Sequence, residues 1–373
     1  MKFEPFALEF TQSTWEQEVD FNLTESGVHP ISLKELIGED DSLLASLLAM
    51  EIDYPHVNGT PRLRELIASL YENASIENVL VTVGAAEANQ IIMQTVLEPG
   101  DELATLYPTY KQVWGIAKNL GHAVNTFSLN PNENWALDVD ELKAKVNNKT
   151  KVISIVNPNN PTGTIFSPEE MDAIVEAADA VGAWILADEV YRGAERTQDE
   201  ETSSFFGRYD KVLAVGSMSK AYGLPGLRIG WIVAPTNTVE DLWRRHEYTT
   251  ITATMLSNHL AAHALSPEVR PRLINRTRNY IRKGFPILQK WMDDKKDLFT
   301  YTPPHATAVS FIKYNLGINS TELMLKLIKD ESVFIGSGDS FGIDHHMRIA
   351  FGQEESLLEE AFRRIQRTLE SLT

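Results

Sequence analysis

The chain has 373 residues, 43% of them hydrophobic, enough to bury a sizeable core in two domains. A formal net charge of −18 argues against nucleic acid as a partner, because phosphate binding needs basic surface. The absence of cysteine excludes disulfides, thiolate catalysis and cysteine-based metal sites.

The N-terminal residues carry no secretory pattern, since Glu4, Pro5 and Glu9 interrupt the apolar run. No segment reaches the roughly 18 apolar residues of a membrane-spanning helix, so a soluble cytoplasmic protein without a membrane partner is expected. Periodicity becomes regular from Ser42 onward. Residues 78–83 predict a strand and 86–97 the helix after it; 102–106 and 113–120 repeat the pattern. The runs 151–156, 184–187, 212–215 and 229–233 are short, apolar and bounded by turn residues, as buried parallel strands should be. Residues 168–181 predict a helix between two of them. Strands alternating with helices indicate an α/β sheet. Beyond Asp241 the chain reads as helical through Lys290. Residues 309–312, 333–335 and 347–351 then predict a smaller α+β unit closed by a helix over 356–372.

Several segments carry chemistry. Ser217-Met-Ser-Lys-Ala-Tyr-Gly-Leu-Pro-Gly-Leu-Arg-Ile-Gly230 places Lys220 in a small, hydroxyl-bearing turn, followed by glycines and Arg228. A lysine acting as an amine nucleophile needs a sheltered site that disfavours its protonated form. A phosphate anchor needs hydroxyls, backbone N–H groups and a guanidinium. Gly84-Ala-Ala-Glu-Ala-Asn89 follows a strand and opens a helix, where small residues let an anion approach free N–H groups. Tyr110 offers an aromatic face. Asn157-Pro-Asn-Asn-Pro-Thr-Gly163 is an ordered turn that aims an amide. Asp188 closes a strand, where a buried carboxylate needs a cationic partner. Singly, these read equally as a solvated loop, an ordinary strand–helix turn, a core tyrosine, a turn motif and a capping aspartate. Arg348 alone would be a surface charge, and Tyr54 a surface tyrosine.

Taken in order, the segments resemble the class I and II aminotransferases, fold-type I enzymes dependent on pyridoxal 5'-phosphate (PLP). The resemblance implies the aspartate aminotransferase-like fold: a large α/β PLP-binding domain with a mostly parallel sheet over 36–261, and a small α+β domain formed by 1–35 and 262–373. It implies that Lys220 bonds the cofactor, that Gly84, Ala85, Ala86, Ser217 and Arg228 hold the phosphate, and that Tyr110 stacks on the ring. Asn160 and Tyr191 would meet the phenolic oxygen and Asp188 the pyridine nitrogen. Tyr54, in Tyr54-Pro-His-Val-Asn-Gly59, would reach the phosphate from the partner in a homodimer with a shared active site. Arg348 would clamp the carboxylate of a small amino acid substrate, with Asn160 and Gly27 as further substrate contacts. No metal is expected.

Two departures from the common pattern bear on the reaction. Where ordinary members carry a Gly-x-Pro segment, this chain has Thr24-Glu-Ser-Gly-Val-His-Pro30. That segment, like 220–228, is similar to the capreomycidine synthases, PLP enzymes that dehydrate a hydroxyarginine and close a cyclic guanidine; enduracididine-forming cyclodehydratases do related chemistry. Near the C-terminus, Pro304-His305-Ala306 and Ser337-Gly338 replace a usual Pro-x-Gly and Pro-Gly. The resemblance therefore implies a cyclodehydratase of hydroxylated arginine, with Lys220 moving the Cα proton. His29 is the candidate acid/base near the reacting carbons, since its ordinary pKa suits proton transfer near neutrality. Glu9 is the second candidate, as acid/base or as guanidinium anchor. His29 also reads as a turn histidine and Glu9 as part of a solvated face. An aminotransferase using 2-oxoglutarate and a PLP-dependent arginine oxidase are the alternatives within the fold. A non-catalytic sensor is disfavoured by the joint presence of Lys220, Asp188 and Arg228.

Overall fold

The computed structural model describes residues 3–38 and 41–372. The apolar runs pair into one eight-stranded sheet, in the order Val79–Thr82, Gly230–Val233, Val212–Ser217, Trp184–Asp188, Thr150–Val156, Glu102–Tyr107, Ala123–Asn130 and Ala136–Leu137. The pairings from Val212–Ser217 through Ala123–Asn130 are parallel. Helices cover both faces, which is why the central strands are apolar on both. Leu186 belongs to the core beneath helices Gly84–Val96 and Gln112–Leu120. Its neighbours Ile185 and Ala187 belong to the opposite core, with Met171 and Ile174 of helix Pro168–Val181. This is the two-residue period of a strand read on its two faces. Helix Pro168–Val181 has sharp ends because Ser167 and Glu170 form a capping box and Gly182 terminates it in the left-handed region.

One strand departs from expectation. The run 229–233 reads as parallel, but Gly230–Val233 is antiparallel to both neighbours. The segment after Ser217 holds only the short 3₁₀ turn Pro225–Leu227 and folds back, with the Met218 N–H donating to the Ile229 carbonyl at 3.0 Å. Without a crossover helix the chain re-enters the sheet in the opposite direction.

The C-terminal part forms a four-stranded antiparallel sheet, ordered Phe299–Tyr301, Val309–Tyr314, His346–Ala350 and Gly336–Ser337. Helices Arg270–Asp293 and Glu355–Glu370 pack together beside it, where Trp291 stacks on Phe362 at 5.1 Å. The run predicted at 333–335 is divided: Val333–Phe334 pairs in parallel with Phe21–Asn22, and Gly336–Ser337 joins the sheet. The N-terminal segment thus lies against C-terminal elements. Among the described residues no helix is long and apolar enough to cross a membrane.

Candidate active site

The antiparallel strand matters for the site. Its register puts Gly230 beside Thr82 on one side and Ser217 on the other. Arg228, two residues earlier, therefore arrives at the same sheet edge as Ser217 and the turn at Gly84; a parallel strand would have carried it to the opposite edge. Gly84 has φ +75°, and a Cβ on it would lie 2.5 Å from Arg228 Nη2. Only glycine admits the guanidinium there. Ala85 and Ala86 follow at the positive end of helix Gly84–Val96, and the Ser219 N–H donates to Ser217 Oγ at 3.1 Å. Amides, hydroxyls and a guanidinium thus converge in the form of an anion cup.

The cup opens into a cavity of about 320 Å³. On its floor, Asp188 ends the strand Trp184–Asp188 and is buried. It accepts from the Val190 N–H at 3.3 Å and from Asn89 Nδ2 at 3.4 Å. Burial raises its carboxyl to about 6, and these donors with the Lys220 charge oppose the rise only in part. A buried acid in this state is suited to a cationic ring nitrogen.

Lys220 Nζ donates to Glu25 Oε1 at 2.5 Å, and the Gly27 N–H donates to the same oxygen at 2.9 Å. Burial alone would raise Glu25, but the Lys220 charge and hydrogen bond, the Gly27 amide and Arg348 bring it down to about 2. Burial pulls Lys220 down; Glu25 and Tyr191 outweigh it, so its pKa is raised. Beside them, the Tyr191 hydroxyl donates to Ser26 Oγ at 2.8 Å.

Arg348 is 1% exposed. Its Nη1 donates to Asn160 Oδ1 at 3.0 Å and its Nη2 to the Thr24 carbonyl at 2.5 Å, while Nε is buried with no hydrogen-bond partner among the described residues. Phe341 supports the guanidinium, 5.1 Å from ring centroid to Cζ.

Helix Ala7–Trp15 and the residue after it form the outer wall, presenting Glu9, Gln12, Ser13 and Glu16 to the cavity. This is the i, i+3, i+4, i+7 spacing of one helix face. Glu9 Oε1 accepts from the Tyr110 hydroxyl at 2.7 Å, and Phe6 meets that ring edge-on at 5.0 Å. Gln12 Nε2 donates to Thr24 Oγ1 at 3.1 Å, and Asn119 exchanges two hydrogen bonds with the Glu4 backbone. The wall is tied at both ends.

Two expected residues are not brought together with the rest. His29 is off the cavity wall: its ring lies 6.0 Å from Tyr280, its N–H donates to the Gly352 carbonyl at 2.7 Å, and its own carbonyl accepts from Arg276 Nη1 at 2.7 Å. The chain faces Lys220 at Glu25–Gly27 and has turned away by His29, so the expectation of His29 near the reacting carbons is corrected. Tyr54 is 78% exposed and also off the wall. Gly27 does sit beside the lysine: a Cβ there would be 3.8 Å from Lys220 Cδ. Sequence reasoning missed Glu25, Ser26, Asn89 and Ser219. Glu25 and Ser26 lie in the segment singled out for its departure from the common pattern, and Ser219 within the lysine motif. Among the described residues no group of three acidic or histidine side chains could hold a metal.

A lysine, a buried acid and an anion cup at one edge of a largely parallel sheet define a PLP-dependent enzyme. The chain belongs to the aminotransferase class I and II family, whose model matches residues 49–365. It is 29% identical over 362 residues to capreomycidine synthase of Streptomyces vinaceus, covering 93% of this chain and 89% of that protein. It is 26% identical over 323 residues to an aspartate aminotransferase of Pyrococcus horikoshii, covering 84% and 82%. A PLP-dependent aminotransferase from Streptococcus suis superposes with a TM-score of 0.94 at 29% identity, covering 100% of this chain and 99% of that one. The PLP-dependent cyclase OrfR, at 24% identity and the same coverages, superposes with a TM-score of 0.88 and shows the shared fold. The protein is a PLP-dependent enzyme of the aspartate aminotransferase-like fold, and the cavity has the donors, the acid and the lysine that PLP requires.

Proposed function

We propose that the protein is a PLP-dependent cyclodehydratase, converting a hydroxylated L-arginine into a cyclic guanidino amino acid of the capreomycidine or enduracididine type. Its distribution of charge carries this reading. In it, Arg228, Ser217 and the Gly84–Ala86 turn hold the phosphate, joined by Tyr54 of the partner in a homodimer. Asp188 pairs with the ring nitrogen, Tyr110 covers the ring, and Asn160 with Tyr191 meets its phenolic oxygen. Arg348 takes the substrate carboxylate on its free Nε edge. Two carboxylates on the wall, Glu9 and Glu16, then remain without an assigned cation, while Glu25 is paired with Lys220. A guanidinium side chain suits them; a dicarboxylate such as 2-oxoglutarate is repelled. The 29% identity to capreomycidine synthase supports the same reading.

When bound, PLP supplies the sink for negative charge at Cα. The protein's own residues do the rest. Arg348 fixes the carboxylate so that the Cα–H bond faces Lys220, whose amine takes the proton. Glu9 and Glu16 hold the guanidine within reach of the carbon that loses its hydroxyl. Attack at Cγ closes a five-membered ring and attack at Cβ a six-membered one.

The second reading is an aminotransferase, favoured by the close superposition on the Streptococcus suis enzyme. Incubation with β- and γ-hydroxyarginine, without any keto acid, separates the two by mass spectrometry. Loss of one water with the amino group retained is expected. No reaction until 2-oxoglutarate is added, followed by glutamate release, would make the protein a transaminase.

A further inference from the structure

The cavity contains a carboxylate that the roles above leave without a task in the chemistry. Glu25 and Lys220 are 195 residues apart, yet Oε1 and Nζ lie at 2.5 Å. The carboxylate is itself held in place, because the same oxygen takes the Gly27 N–H at 2.9 Å.

We propose that Glu25 is the charge partner of Lys220, the group that stabilises a proton on the lysine nitrogen during turnover. The other charged and titratable groups around the pair are Tyr191, Arg348 and Asp188. Arg348 disfavours a proton on Lys220, and Tyr191 and Asp188 are buried where ionisation is costly. Glu25 is thus the anion in direct contact with the nitrogen, and the raised Lys220 with the lowered Glu25 agrees with that contact.

The step balances. When Lys220 has taken the Cα proton, Glu25 stabilises the resulting ammonium. In the cyclodehydratase reading, on which only this last step rests, one N–H bond of that ammonium breaks as the departing hydroxyl takes the proton. The C–O bond is lost, the group leaves as water, and Lys220 is returned as the free amine. Lys220, steadied by Glu25, would then be the general acid.

The test is an absorbance–pH titration of the PLP-loaded enzyme without substrate, comparing the parent with Glu25→Gln and Glu25→Asp. A carboxylate next to a protonated nitrogen raises its pKa, so removal lowers it. The midpoint of the cofactor band is expected to fall by about one unit or more in Glu25→Gln, a roughly tenfold loss of proton affinity. It should lie between the two in Glu25→Asp, whose shorter reach weakens the contact. If Glu25→Gln does not fold, the Asp variant decides: a midpoint below the parent's supports the pairing, and an unchanged one overturns it. An unchanged midpoint in Glu25→Gln, with the parent titrating, likewise overturns it. A parent with no band of lysine-linked cofactor overturns the assignment of Lys220 and the inference with it. Because no substrate is present, failure here is separate from failure of the cyclodehydratase reading.

Discussion

Arg348 and Asn160 meet at 3.0 Å across 188 residues of sequence, joining the C-terminal sheet to the turn that follows Thr150–Val156. The amide and the Thr24 carbonyl occupy two guanidinium nitrogens and leave the Nε edge for a ligand. Lysine cannot reproduce this planar set of donors. Arg348→Lys should retain bound PLP and lose roughly 10- to 100-fold in kcat/KM, the worth of one or two charge-assisted hydrogen bonds. Steady-state kinetics beside an absorbance spectrum checks both halves.

Lys220→Ala should remove both turnover and the absorbance of lysine-linked cofactor. Dialysis should also strip PLP from the variant more readily than from the parent. Retained turnover would show that another group moves the Cα proton.

Asp188 gives a pH prediction with a definite sign. Burial raises its carboxyl from 3.8 to about 6. The folded state therefore holds this proton more tightly than the unfolded state. The stabilisation is complete below the unfolded value and is lost as pH rises from 3.8 toward 6. Above that window the cofactor-free protein carries a penalised buried anion. Asp188→Asn should stabilise the cofactor-free form at a pH of about 7.5 by on the order of 1–3 kcal/mol, and should weaken PLP binding. Thermal melts with and without PLP should move in opposite directions.

Glu9 and His29, the two acid/base candidates of the sequence, should now separate. Glu9→Gln keeps a partner for the Tyr110 hydroxyl but removes a charge from the wall. It should raise KM for hydroxyarginine by about tenfold and leave the PLP spectrum in place. His29→Ala keeps the backbone groups that bond Gly352 and Arg276, so kcat should stay within about twofold, as for substitutions away from any special feature. A large fall in kcat for His29→Ala would return that residue to the mechanism.

The parts of the site that were legible are those whose neighbours are local in sequence. Gly84, Asp188 and Ser217 sit at strand ends marked by apolar runs and turn residues, so chain order alone arranged them. Glu25 was illegible for the opposite reason: it is one of 52 acidic residues, and its pairing with Lys220 spans the chain. The direction of Gly230–Val233 was equally hidden. All four residues are buried, so the hydrophobic pattern is the same for either direction, and the turn after Ser217 decides. Strand Ala123–Asn130 escaped because it mixes polar and apolar residues and only two of its side chains are buried. His29 was chosen for its pKa, a property of the residue type that carries no information about which way the chain turns after Gly27.

Helix Ala7–Trp15 belongs to neither sheet, yet it supplies much of the cavity's outer wall. In the proposed reading, the machinery for the cofactor and the surface that meets the side chain of the substrate are thus carried by different stretches of the chain. Selectivity is in this sense portable. Exchange of the segment from Glu4 to Glu16 between related enzymes, with the anchors at Asn119 and Thr24 preserved, offers a way to redirect which amino acid is admitted without rebuilding the fold.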